Sequence, residues 1–260
     1  MNDELLAKIR ELEEENAALK ETLRQRDAFI HDTFGRYLTD EVLEEILAQK
    51  DNLMIGGQRR VVTMMFTDLR GSTELSERMR SADFIRMLNH YFEEMIEIIN
   101  AWMGNILEFV GDAIVVVFGA PRPNETAAGD AVACAVAMQR RMTAVNAWNQ
   151  SQGYPEISMG IGIHTGSAIL GNIGSQTRTK YDMIGRNVNL ASRIEGFTAG
   201  GQILVSTQTL QAAGDSVQIH CAGEIQVKPK GIQNEILLHD VIGFGHMLIP
   251  RAGGGTAERK

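Results

Sequence analysis

The chain has 260 residues, 25 Lys and Arg against 33 Asp and Glu, a formal net charge of −8 at pH 7 and 44% hydrophobic residues. That length suits one domain of ordinary size with appendages, and the acidic balance argues against nucleic-acid binding, which needs a basic face. Two distant cysteines, Cys134 and Cys221, make no disulfide framework; with a charged start and no apolar run of membrane-spanning length, a cytoplasmic protein is expected.

Residues 1–30 read as a coiled coil. Ile9, Asn16, Leu23 and Ile30 recur at sevens, Leu5, Leu12 and Leu19 form the offset series, and Glu, Lys and Arg fill the outer faces. Asn16 in the seam specifies register and favours a parallel homodimer; one amphipathic helix packed on its own domain is the alternative. Residues 31–58 read as a linker, with aromatic bulk at Phe34 and Tyr37, a cap at Thr39, a short helix over Glu41–Ala48 and a loop over Asp51–Gln58.

Val61–Thr73, VVTMMFTDLRGST, is an apolar run that closes on Asp68 and a Gly-Ser-Thr turn, the pattern of a buried strand. Apolar residues at helical spacing from Phe84 to Ile99 predict one helix over Glu74–Met103. Asn105–Val110 and Ala113–Phe118 predict a hairpin around Gly111 and Asp112. An alanine-rich helix follows over Thr126–Gln150, then a second hairpin from Ile157–His164 and Ala168–Ile173. A short strand over Tyr181–Ile184 and a helix over Asn187–Gly196 come next. Gln202–Ser206, a short helix, Val217–Val227 and Glu235–Val241 complete the order, and residues 243–260 read as a flexible tail. The class is α+β, a mixed sheet covered by helices and preceded by a coiled-coil helix; residues 59–242 form the main domain.

If the strands ending at Asp68 and Asp112 are neighbours, two carboxylates meet at one sheet edge and repel unless a cation lies between them. Hard oxygen ligands with open positions suit Mg²⁺ carrying a polyphosphate. Gly71 lets the backbone approach closely, and amides at Ser72 and Thr73 would point at phosphate.

FTDLRGST, EFVGDAIVVVFGAP, GIGIHTG and YDMIGRNVNLASR, in that order, resemble the class III nucleotidyl cyclases over roughly Arg59 to Val241. The resemblance implies a ferredoxin-like core and attack of a nucleoside triphosphate's 3′-oxygen on its own α-phosphorus. It implies two Mg²⁺ (or Mn²⁺) per site on Asp68 and Asp112, Asn189 orienting the ribose and Arg193 stabilising the transition state. A terminal-phosphate lysine falls at Lys230, with Lys228 as the fallback. Because the family takes the aspartates from one domain and Asn and Arg from its partner, a homodimer with two shared sites follows. FGRYLTDEVLEEIL resembles the family's signal-transmitting segment, which would connect an upstream sensor.

Base choice is ambiguous. Glu108 stands where adenylyl cyclases usually carry lysine and guanylyl cyclases glutamate, whereas Asp182 stands where adenylyl cyclases often carry aspartate. The pair favours ATP through a shared proton on Glu108, with cyclic AMP as product; GTP is the alternative. Gly160 replaces an arginine that contacts phosphate in some members, leaving Arg70 or Lys180 as candidate substitutes. The rival class is a catalytically silent nucleotide-binding dimeric signalling module, against which both metal aspartates speak.

Overall fold

The computed structural model describes residues 2–34, 55–214, 217–230 and 234–250. The chain divides into two units, Met1–Leu53 and Met54–Lys260. In the first, helix α1 (Asn2–Phe34) runs unbroken through the expected coiled-coil segment and on past Ile30, its last seam residue. Its seam residues Leu5, Ile9, Leu12, Leu19 and Leu23 are 43–60% exposed on the single chain, and Lys8 pairs with Glu11 one turn on. The short helix expected over Glu41–Ala48 lies outside the described residues. No described helix is long and apolar enough to cross a membrane.

The second unit is built on β1 (Gly56–Leu69). It pairs antiparallel with β3 (Ala113–Phe118) on one side and with β4 (Met159–Ser175) along its whole length on the other. The sheet order is β2-β3-β1-β4-β6-β8-β7, where β2 is Asn105–Val110, β6 Ile203–Ser206, β7 Ile219–Val227 and β8 Ile236–Phe244. Strand β5 (Arg178–Ile184) hairpins onto β4, and β9 (Met247–Leu248) onto β8. Among the described residues only β4 and β6 pair in parallel, so the sheet is mixed. The helices are α2 (Ser72–Arg78), α3 (Ser81–Ala101), α4 (Ala127–Ser151), α5 (Arg186–Glu195) and α6 (Thr207–Ala213).

Alternation along the strands sorts the core into two faces. Met65 and Leu69 of β1, Ile114, Val116 and Phe118 of β3, and Met159, Ile161 and Ile163 of β4 pack with α3 and α4. Val62 and Met64, Val115 and Val117, and Ala168 and Leu170 form the opposite face with Ala191 of α5. Asp68 follows the parity of Val62 and Met64, so it belongs to the α5 face.

Four expectations need correction. The helix expected over Glu74–Met103 is broken at Met79, which is extended and separates α2 from α3. The loop assigned at Gly56–Gln58 is the start of β1, paired with Leu170–Asn172. The tail expected from Gly243 begins later, because β8 reaches Phe244 and β9 pairs back on it. The hairpin expected between His164 and Ala168 does not exist: β4 runs straight through.

The reason lies in its glycines, which admit close neighbours instead of turning the chain. A Cβ on Gly166 would lie 2.7 Å from the Asn187 side chain, and one on Gly162 would lie 2.2 Å from the backbone nitrogen of Glu195. The GIGIHTG stretch is therefore a bed on which α5 lies directly against the sheet.

Candidate active site

Asp68 is the penultimate residue of β1, and Asp112 sits in the tight turn that joins β2 to β3. Pairing of β1 with β3 brings the two together, and the Leu69 N–H donates to Oδ2 of Asp112 at 3.1 Å. Burial raises the pKa of Asp68 above the ordinary 3.8; the neighbouring Asp112 charge adds to that and Arg70 opposes it. Gly71 then turns the chain in the left-handed region (φ 74°), and Ser72 and Thr73 begin α2. No described cluster of three or more His, Cys, Asp or Glu could hold a metal by itself. Two adjacent carboxylates do fit a divalent cation whose remaining ligands come from a triphosphate and water.

Arg70, expected as a candidate phosphate contact, is instead tied up within the chain. Its Nη1 donates to Asp68 Oδ2 at 3.0 Å. Its Nη2 donates to the carbonyl of Glu195 at 3.0 Å, to Thr198 Oγ1 at 2.5 Å and to the Glu195 carboxylate. The guanidinium fits because residue 160 is glycine: a Cβ there would lie 2.2 Å from Nη2. Arg70 thus fills the room that Gly160 leaves, yet it is committed to Asp68, Glu195 and Thr198 and is not a free phosphate contact. Burial raises the Glu195 pKa, against the opposing pull of Arg70.

Helix α5 carries Asn189 and Arg193 one turn apart; Asn189 is exposed and Arg193 half-buried. Among the described residues neither makes a side-chain hydrogen bond or ion pair, and none links them to Asp68 or Asp112. Nearby, His164 anchors the helix start, with Nε2 3.4 Å from Asn187 Oδ1 and Nδ1 2.8 Å from Ser206 Oγ. Burial lowers its pKa, so the ring is a neutral strut. Lys228 and Lys230 are both exposed just beyond β7.

Glu108 and Asp182 converge, as the base-site reading requires, but not on each other. Lys180 stands between them, its Nζ 2.5 Å from Glu108 Oε2 and 3.3 Å from Asp182 Oδ2. Burial alone would lower the Lys180 pKa; the bond to Glu108 and the Asp182 charge outweigh it, and the pKa is raised. The counter-charge expected from a shared proton is an ammonium group. Lys180 is therefore not a free phosphate contact either. Glu108 follows a bulge in the β2–β3 ladder between Ile106 and Glu108, a device that re-aims a side chain. The signal for Lys180 was in the sequence: two residues apart on a strand, it shares a face with Asp182.

A mixed sheet with paired aspartates at one strand end, and a helix presenting Asn and Arg over a glycine row, defines a nucleotidyl cyclase architecture. The family model "Adenylate and Guanylate cyclase catalytic domain" matches residues 57–240. The chain is 32% identical over 225 residues to "Adenylate cyclase 1" of Rhizobium meliloti (strain 1021), covering 85% of this chain and 33% of that relative. Among solved structures, the guanylyl cyclase Cya2 is 43% identical with a TM-score of 0.73, covering 75% of this chain and all of that one. The adenylyl cyclase CyaB from P. aeruginosa is 34% identical with a TM-score of 0.70 and the same coverage. The chain belongs to the adenylate and guanylate cyclase catalytic-domain family. It spans about a third of the length of the curated relatives it matches.

Proposed function

We propose that this chain cyclises a purine nucleoside triphosphate, ATP or GTP, to the 3′,5′-cyclic monophosphate and pyrophosphate, in the cytoplasm and in response to an upstream sensor. The observation that carries this reading is the pairing of Asp68 with Asp112 at one strand end, in a chain of this family that keeps Asn189 and Arg193 on one helix face. The bond from the 3′-oxygen to the α-phosphorus forms as the bond from that phosphorus to the pyrophosphate oxygen breaks. Such a transfer needs positioning and charge neutralisation more than covalent help.

Asp68 and Asp112 would hold the two divalent cations, Mg²⁺ or Mn²⁺. Bound there, these ions neutralise the triphosphate and lower the pKa of the attacking hydroxyl. Gly71, Ser72 and Thr73 bring backbone amides toward the phosphates, and Lys230, or Lys228, reaches the terminal phosphate. Arg193 offsets charge on the transferring phosphate, and Asn189 holds the ribose in the attacking orientation. Since neither touches the aspartates within this chain, the working site pairs the aspartates of one protomer with Asn189 and Arg193 of a second. The exposed leucine seam of α1 supports a parallel homodimer that would hold the two domains together.

The test is to incubate the purified full chain with ATP or GTP plus Mg²⁺ or Mn²⁺ and identify the products by mass spectrometry. Cyclic nucleotide and pyrophosphate in equal amounts are expected. Nucleotide binding with no cyclic product under any of these conditions would make the chain a silent signalling module.

A further inference from the structure

We propose that Lys180 is a base-reading residue, whose ammonium takes the O6 of guanine while ionised Glu108 accepts from N1–H and the exocyclic amine, so that GTP is the preferred substrate. The inference rests on the cyclase reading above and on Glu108 and Asp182 facing the base.

The three side chains come from two strands that are not neighbours in the sheet, β2 for Glu108 and β5 for Lys180 and Asp182. Their side chains are 48%, 42% and 33% exposed in the same order. Ion pairs at that exposure contribute little to stability, so the trio has little to do with holding the fold. It is better understood by what it leaves open.

Asp182 is nearly used up within the chain: Oδ1 accepts from the Met183 N–H at 2.8 Å and Oδ2 faces Lys180. Glu108 keeps Oε1, to which no described residue donates. An ammonium has three N–H donors, and the two carboxylates take two of them. What remains toward a ligand is one cationic donor beside one anionic acceptor. Leu107 and Tyr181, the chain neighbours of Glu108 and of Lys180 and Asp182, are partly buried against the α5-face core, which anchors both strands beneath the trio.

Guanine offers a carbonyl acceptor next to two N–H donors along one edge. Lys180 answers the carbonyl, and Glu108 answers both donors as a charge-assisted pair. Adenine in the same pose turns its exocyclic amine, a donor, toward the ammonium, its ring N1, an acceptor, toward the Glu108 carboxylate, and C2–H where guanine has its amine, so neither side chain finds its complement. The objection to guanine from Asp182, an acceptor opposed to a carbonyl, disappears once an ammonium lies between them. The structure therefore reverses the ATP preference that Glu108 and Asp182 carry when taken alone.

The test compares kcat/KM for GTP and ATP in the wild-type chain and in Lys180→Met and Lys180→Arg. A bidentate base contact discriminates about ten- to a hundredfold, so wild type should favour GTP by about that ratio. Lys180→Met should erase the ratio or invert it toward ATP, because Glu108 and Asp182 are then left to share a proton that adenine can use. Lys180→Arg, which keeps a cationic donor, should retain the GTP preference. In parallel, 3′-deoxy-GTP and 3′-deoxy-ATP, which lack the attacking hydroxyl, are titrated onto the same proteins and should show the same order of affinity. Wild-type preference for ATP, or a Lys180→Met chain that folds normally with an unchanged ratio in both assays, overturns the assignment. Absence of turnover with either triphosphate sinks the cyclase reading instead; the deoxynucleotide affinities then decide the base, and equal or undetectable binding of the two overturns it.

Discussion

Asp68 is held at a cost to the metal-free fold. Its carboxyl is partly buried beside Asp112, and Arg70 offsets only part of that. Because its folded pKa is raised, the folded protein keeps this proton to higher pH than the unfolded chain does, and Glu195 behaves in the same direction. The folded state binds more protons in that window, so stability falls as pH rises from the ordinary carboxylate range through the raised values. Thermal melts in EDTA should therefore show Tm decreasing with pH across this window. Asp68→Asn should flatten that slope and melt no lower than wild type at neutral pH, while abolishing cyclic nucleotide production. A steeper slope in the variant would contradict the assignment of strain to Asp68. Asp112→Asn should lower turnover by orders of magnitude with fold and assembly intact; near-normal rates would contradict the paired-aspartate site.

Packing of α5 against β4 is the element on which the site's geometry turns. Gly162 touches the backbone at Glu195, so Gly162→Ala forces helix and strand apart; overpacking of this kind costs about 1–3 kcal/mol. The expected result is a lower Tm together with a loss of kcat larger than the loss of nucleotide affinity, because Asn189 and Arg193 ride on the displaced helix. Unchanged kcat in a destabilised variant would show that α5 placement is not critical. Gly160→Ala should act differently: it meets two side chains and no backbone, the Thr198 hydroxyl and the Arg70 guanidinium, so the link from Asp68 through Arg70 to Glu195 and Thr198 would loosen before helix and strand part.

These elements also show what could be read before the structure was seen. Apolar runs ending in Asp68 and at the turn of Asp112 announced their strands, because burial on both faces leaves long β-branched runs. Asn189 and Arg193 were singled out by the resemblance of VNLASR to the cyclase motif, and their spacing of four residues puts them on one helix face. The glycines of β4 were misread as a turn, since glycine marks close approach as readily as reversal, and only the position of α5 separates the two. Arg70 and Lys180 were weighed only as phosphate contacts; each has one partner two residues away, Asp68 and Asp182, and another, Glu195 and Glu108, 125 and 72 residues away in sequence, and the distant half of each pairing is what no local pattern encodes.

At the scale of the whole molecule, the proposed site needs two chains. Each chain holds both half-sets of residues once, with no bond among the described residues joining Asn189 or Arg193 to the aspartates. Removing residues 1–30 should weaken dimerisation, measured by sedimentation equilibrium, because the leucine seam of α1 is then lost. The most direct measurement mixes two inactive proteins, Asp68→Ala and Arg193→Ala, under conditions where heterodimers form and are verified by differential tags. One of the two sites in each heterodimer then has an intact set, so activity should reappear at up to half the wild-type level per heterodimer. A mixture that stays inactive although heterodimers are present would contradict the shared site.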